Sequence, residues 1–142
     1  MDENGTIQAL EAHLATHEYV FESRCHTTQR GTDLVMTGPG KRIVIEAKGN
    51  TSSREGSKRF KKPFTDSQCA DHFSRAFYTA CKMRDAVEDK DKGTVRVAIG
   101  LGYSEFYAKY ERWSRKSREQ LDVGLFWVDE QGVVTVEGDW NY

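Results

Sequence analysis

Apolar residues along the chain fall into two alternating rhythms. In residues 6–17, Ile7, Leu10 and Leu14 recur at helical spacing on one stripe, with Asn4 or Thr6 able to cap the helix and Glu11 on the stripe's edge. From residue 18 to 25 the pattern turns extended. Two short β-rich runs follow, residues 33–37 and 41–48, joined by Gly38-Pro39-Gly40. A helix and a three-stranded meander are therefore expected first. Residues 49–62, with their glycines, serines and basic side chains, predict an exposed loop. Thr65-Asp66-Ser67-Gln68 then has capping-box spacing, with Phe64 placed to staple against Cys69, so a second helix starts there and runs to about residue 84. Its Cys69, Phe73, Ala76, Phe77 and Ala80 keep helical spacing and form one buried face. Residues 94–101 alternate as a fourth strand through Val95, Val97 and Ile99. In residues 104–121 a third helix puts Phe106, Tyr110, Trp113 and Leu121 on one face and Lys109, Arg112 and Lys116 on another. Residues 123–128 and 133–136 predict a closing β-hairpin. No repeat and no long linker interrupts the pattern, so residues 1–142 are expected to form one α/β domain.

Composition narrows the function classes. Aromatic residues are 11% of the chain, too many for disorder throughout, although 30% of residues are charged. There is no apolar run of about 18 residues and no secretory pattern at Met1-Asp2-Glu3-Asn4, so the expectation is a soluble, cytoplasmic protein with no membrane partner. Cys25, Cys69 and Cys81 form no C-x-x-C pair and are expected to be small buried residues. The net charge of -1 means that any site for a polyanion must be a local patch. Gly100-Leu101-Gly102 lacks the third glycine of a dinucleotide-binding turn, and no phosphate-binding loop or nucleophile elbow is present.

The chemistry concentrates at Gly31-Thr32-Asp33-Leu34-Val35 and Ile45-Glu46-Ala47-Lys48. Side chains alternate in a strand, so Glu46 and Lys48 share a face. Asp33 opens the preceding strand and the tight turn brings it alongside. Two carboxylates and one ammonium can thus converge. Hard oxygen ligands of this kind suit Mg2+, with Mn2+ as a substitute. Asp33 and Glu46 are the expected metal ligands, with the Ala47 carbonyl as a third. Lys48 is expected to orient or deprotonate an attacking water, its pKa lowered by the metal and by partial burial.

This arrangement resembles the PD-(D/E)XK nuclease superfamily, and within it most looks like Holliday junction resolvases and Mrr-type restriction domains. The resemblance covers roughly residues 5–100. It implies a restriction endonuclease-like core of helix, three-stranded meander, helix and strand, here with an added helix and the C-terminal hairpin. It also implies a Glu on the first helix as a further metal ligand, a position Glu11 matches, and a polar residue on the helix after E-x-K, a position Gln68 matches with His72 one turn later. Gln68 has a competing local role in the capping box. Thr32 stands where the family's motif has proline.

Next to this motif, Arg54, Lys58, Arg59, Lys61 and Lys62 cluster in one loop with a single acidic residue, Glu55. A phosphodiester backbone would meet them on entering the site, with Phe60 available to stack on a base and Ser52, Ser53 and Ser57 to donate to phosphates. The expected function is a metal-dependent nuclease hydrolysing phosphodiester bonds. DNA is favoured over RNA by the resemblance alone. The alternative is an inactive domain on the same fold that binds nucleic acid or another partner. One such site cuts one strand, so double-strand cleavage would take a homodimer or two visits.

Overall fold

The computed structural model describes residues 1–24, 32–52 and 54–142; Cys25 and Ser53 lie outside the described residues. In chain order the elements are α1 (Glu3–Ala15), β1 (Val20–Arg24), β2 (Leu34–Gly38), β3 (Lys41–Lys48), α2 (Asp66–Ala86), a 3-10 turn (Asp89–Asp91), β4 (Val95–Gly102), α3 (Glu105–Gln120), β5 (Val123–Val128) and β6 (Val134–Val136). The strands form one mixed six-stranded sheet in the order β1-β2-β3-β4-β5-β6. Strands β1, β2 and β3 are an antiparallel meander, β3, β4 and β5 run parallel, and β6 returns antiparallel to β5. Each parallel step needs a crossover, and α2 and α3 supply the two. No helix among the described residues is long and apolar enough to cross a membrane.

Strand alternation decides which face each helix covers. Ile43, Ile45 and Ala47 of β3 join Ala98, Phe126 and Val128 in a core with Ile7, Leu10 and Leu14 of α1. The opposite face presents Val97, Ile99, Leu101, Val123 and Leu125 to Cys69, Phe73, Ala76 and Ala80 of α2 and Tyr107 of α3. One helix thus covers one face of the sheet and two cover the other. Residues 42–45 of β3 pair with strands on both sides, and residues 46–48 pair with β4 alone.

The helix ends show how local chemistry sets these elements. Asp2, rather than Asn4 or Thr6, caps α1, its Oδ1 accepting the Gly5 N–H at 2.8 Å. The helix therefore begins earlier than the apolar stripe indicates. The capping box of α2 forms as expected: Gln68 N–H donates to Thr65 Oγ1, and Thr65 N–H donates to Gln68 Oε1. Phe64 packs against the cluster containing Cys69.

Helix α3 corrects the sequence expectation. Its buried residues are Tyr107, Glu111 and Arg118, whereas Trp113 is 75% exposed and Phe106 and Leu121 are also exposed. Glu111 Oε1 accepts from Arg118 at 3.1 Å, and Arg118 also donates to the Val123 carbonyl. The Glu111–Arg118 ion pair and Tyr107, not the expected aromatic stripe, occupy the inward face. Lys109 instead lies over the rings of Phe106, Tyr110 and Trp113.

Close approach of the C-terminal segment explains one glycine. A Cβ at Gly124 would lie 2.2 Å from the Trp140 ring, which Asp122 holds by accepting its indole N–H at 3.1 Å. Gly124→Ala is expected to cost about 1–3 kcal/mol in urea unfolding, since a well-packed ring must move. Combining it with Trp140→Leu should add less than the sum of the two separate losses.

Candidate active site

Leu34 and Met36 point to the α1 side of the sheet, so Asp33 and Val35 point to the other; along β3 the same rule puts Glu46 and Lys48 opposite Ile45 and Ala47. Leu34 pairs with Ile45 across the antiparallel ladder, which leaves Asp33 level with Glu46 just beyond the last pair. Asp33 is 9% exposed and Glu46 8%. Asp33 Oδ2 accepts the Ala47 N–H at 2.8 Å, and Lys48 Nζ donates to Glu46 Oε1 at 2.9 Å. The Lys48 ammonium also lies 3.5 Å from Glu3 Oε2. Structure and sequence agree on the convergence of Asp33, Glu46 and Lys48, and the structure adds Glu3.

Three carboxylates around one ammonium leave the site short of positive charge. Burial pushes the Asp33 carboxyl up, the Glu46 charge adds to this, and it reaches about 7 although the Ala47 N–H and Lys48 work against the rise. Burial also raises Glu3 despite its contact with Lys48. For Lys48, burial disfavours the charged form, but Glu3, Glu46 and Asp33 outweigh it and hold the ammonium above its ordinary value. The burial expected to lower the Lys48 pKa is thus outweighed by the neighbouring acids, which raise it.

Glu11 is not the helix α1 glutamate that reaches this cluster. It pairs with Arg24 of β1, whereas Glu3, eight positions earlier and about 12 Å along the helix axis, meets Lys48. Position 3 precedes the apolar stripe, so helical periodicity gives it no weight. What brings it in is close docking of the helix start on Gly49, where an added Cβ would sit 2.4 Å from the backbone of Asp2 and Glu3. The Asn50 N–H also donates to the Met1 carbonyl at 2.9 Å. Gly49→Ala is expected to push the start of α1 outward and pull Glu3 off Lys48. That predicts at least tenfold loss of any Lys48-dependent activity with a smaller change from Glu11→Gln, measured side by side.

The donor set fits a hard divalent cation. Asp33 Oδ1 and Glu46 Oε2 make no hydrogen bond to a described residue. In a strand the N–H and C=O of one residue leave from the same edge. The Ala47 carbonyl therefore lies on the side where its N–H meets Asp33. No cluster of three His, Cys, Asp or Glu side chains suited to an ion occurs among the described residues. Magnesium, however, typically takes one or two carboxylates and keeps several waters.

Beside the cluster, a cavity of about 300 Å³ is lined by Glu3 and Lys48, by residues of the following loop, and by Phe64, Gln68 and His72. The loop is more ordered than its composition indicates. Thr51 bridges to Pro63 and Ser52 to Phe60, the Lys61 N–H donates to the Ser52 carbonyl at 2.9 Å, and Arg59 donates to the Pro63 carbonyl. Ser52 and Arg54 line the cavity. Arg54, Lys58 and Lys62 are exposed and form no ion pair with a described residue, while Lys61 lies over the Phe60 ring at 5.2 Å. Ser57 is turned inward, its hydroxyl accepting the Arg59 N–H. Gln68 spends its carbonyl oxygen on the capping box and is one of the residues that line the cavity. His72 lines the cavity against Phe64, and burial with the nearby Lys48 lowers its pKa.

Comparison with family models, with curated proteins and with solved structures finds no match to this chain.

Proposed function

We propose that this protein is a Mg2+-dependent nuclease, with Mn2+ as a substitute, that hydrolyses phosphodiester bonds of DNA in a PD-(D/E)XK-like site. One observation carries the reading: two buried carboxylates, Asp33 and Glu46, meet beside Lys48, and Lys48 in turn lines a cavity that Arg54 also lines. Burying like charges together lowers stability unless a cation joins them. The order of α1, the meander, α2 and β4 also supports the reading, because it follows the order that the resemblance implies.

In this proposal Asp33, Glu46 and the Ala47 carbonyl hold the cation. When bound, it supplies Lewis-acid polarisation of the phosphoryl oxygen. Lys48 directs a water toward phosphorus and offsets charge developing on the phosphoryl oxygens. Glu46 and Glu3 keep that ammonium oriented from two sides. Arg54, Lys58 and Lys62 draw the anionic backbone along the loop.

The test is cleavage of single-stranded, duplex and branched DNA by wild type and Lys48→Met, with Mg2+ or Mn2+. Expected is cutting by the wild type and a kcat about 10²–10⁴-fold lower in the variant, with KM changed much less. Metal-independent binding with no cutting by either protein would instead assign an inactive binding module.

A further inference from the structure

The cavity beside the carboxylates has its own recognition chemistry, which the hydrolytic roles do not use. Its volume of about 300 Å³ is at the lower end of ligand pockets and suits one nucleotide rather than a stacked pair. Two rings line it: Phe64 and His72, with centroids 4.4 Å apart and planes tilted by 32°. Phe64 comes from the end of the loop and His72 from the second turn of α2, so a helix and the capping-box entry fix both. Polar groups stand around the rings. The Gln68 amide nitrogen has no hydrogen-bond partner among the described residues, and its carbonyl oxygen is anchored on Thr65, which limits the directions in which the amide can donate. Ser52 adds a hydroxyl, and Arg54 adds a guanidinium with no ion-pair partner among the described residues. Lys48 is shared between this cavity and the carboxylate cluster.

We infer that this cavity holds a single unpaired nucleotide next to the scissile phosphate. The base lies against the Phe64 and His72 rings, its edge meets the Gln68 amide, and its phosphate meets Arg54. The inference rests on the nuclease reading and goes further by naming the substrate's form. A base inside a duplex has both faces covered by its neighbours and its edge paired, so it cannot lay a face on two rings in a recess without leaving the stack. A single strand, an overhang or an unpaired branch point offers such a base at much lower cost. Phe60, the ring expected from sequence to stack, lies outside this cavity under Lys61.

The experiment is fluorescence anisotropy with Ca2+ replacing Mg2+, using an end-labelled ten-nucleotide single strand, the matching hairpin duplex, and a set of single strands with one abasic position moved stepwise along them. The wild type is expected to bind the single strand at least tenfold more tightly than the duplex. One abasic position should weaken binding about 5–100-fold, with its neighbours changing it far less. Phe64→Leu keeps apolar bulk against the Cys69 cluster while removing the ring face. It should weaken single-strand binding by a similar factor, leave duplex binding within about twofold, and show no further loss with the sensitive abasic strand. Equal affinity for both forms, or abasic strands that bind like the intact one, would overturn the single-nucleotide site while leaving the nuclease reading to stand on cleavage in Mg2+. Absence of both binding and cleavage would remove the two together.

Discussion

Asp33→Asn is expected to abolish cleavage and, in EDTA, to make the protein more stable. Asn retains an oxygen that can accept the Ala47 N–H, so the local ladder is preserved, but the charge facing Glu46 and Glu3 disappears. The folded-state pKa of Asp33, about 7, lies above its ordinary value of 3.8. The sign follows from that direction. Stability from this group is fully present below about pH 4 and is lost as pH rises through about 7, because the unfolded chain ionises the carboxyl more readily. Metal-free wild type should therefore be less stable at pH 8 than at pH 5.5 as far as this residue is concerned, and the variant should remove that slope. The expected gain at pH 8 is about 2–4 kcal/mol by urea unfolding. Calorimetry with Mn2+ should show binding lost in the variant, and kcat should fall by about 10³-fold or more. A variant that is neither more stable at pH 8 nor weaker for metal would show that Asp33 ionises as an ordinary strand-end residue.

Glu111→Gln is expected to have the largest effect on stability. Glu111 is 1% exposed and Arg118 2%, and Glu111 lies under hydrogen bonds from both Arg115 and Arg118. Burial works against the Glu111 charge, yet the two guanidinium groups outweigh it and hold its pKa below the usual range. Neutralising Glu111 leaves Arg118 charged inside the protein, with its Nε already lacking a partner among the described residues. The loss should be about 3–5 kcal/mol in urea, against a total stability of about 5–15 kcal/mol for a domain of this kind. Replacing both partners, Glu111→Leu with Arg118→Met, should recover most of it, since Arg115 is partly exposed and keeps Glu137 as a partner. Cleavage by the folded fraction should be unchanged in either case, because α3 presents this pair to the sheet rather than to the carboxylate cluster. Recovery in the double variant separates a stranded charge from poor packing.

Local rules made part of this molecule legible from the sequence. The bounds of β3 and the Thr65 capping box follow from alternation and from short-range hydrogen bonding, so neither depends on the rest of the chain. The shared face of Glu46 and Lys48 is likewise a consequence of strand geometry, and a tight turn is enough to bring Asp33 beside them. Glu3 was not legible because its role depends on which end of α1 docks at the end of β3, and that is decided by the bare backbone at Gly49. An acidic residue straight after a capping Asp marks a helix start but gives no direction in space. The inward face of α3 was misread because its polar residues pair with each other across two turns, so their burial leaves no apolar trace. The cavity was not legible either, since Phe64 reads as a staple until the loop brings Ser52 and Arg54 to the same cavity as Phe64 and His72.

The two halves of the site differ in how far apart in the chain their parts lie, and this bears on the order in which they form during folding. The hydrogen bond from Ala47 to Asp33 spans 14 positions and closes with the β2–β3 turn, whereas the Tyr107 hydroxyl that donates to the Gly49 carbonyl at the cavity's edge spans 58. Contacts between distant segments carry a larger loop-closure entropy and tend to form later. A chain emerging from the ribosome can thus set its carboxylates side by side once β3 is out, while the support beneath Gly49 waits for α3. On the nuclease proposal, free metal ions would meet the carboxylate pair in the nascent chain before nucleic acid could meet the finished cavity.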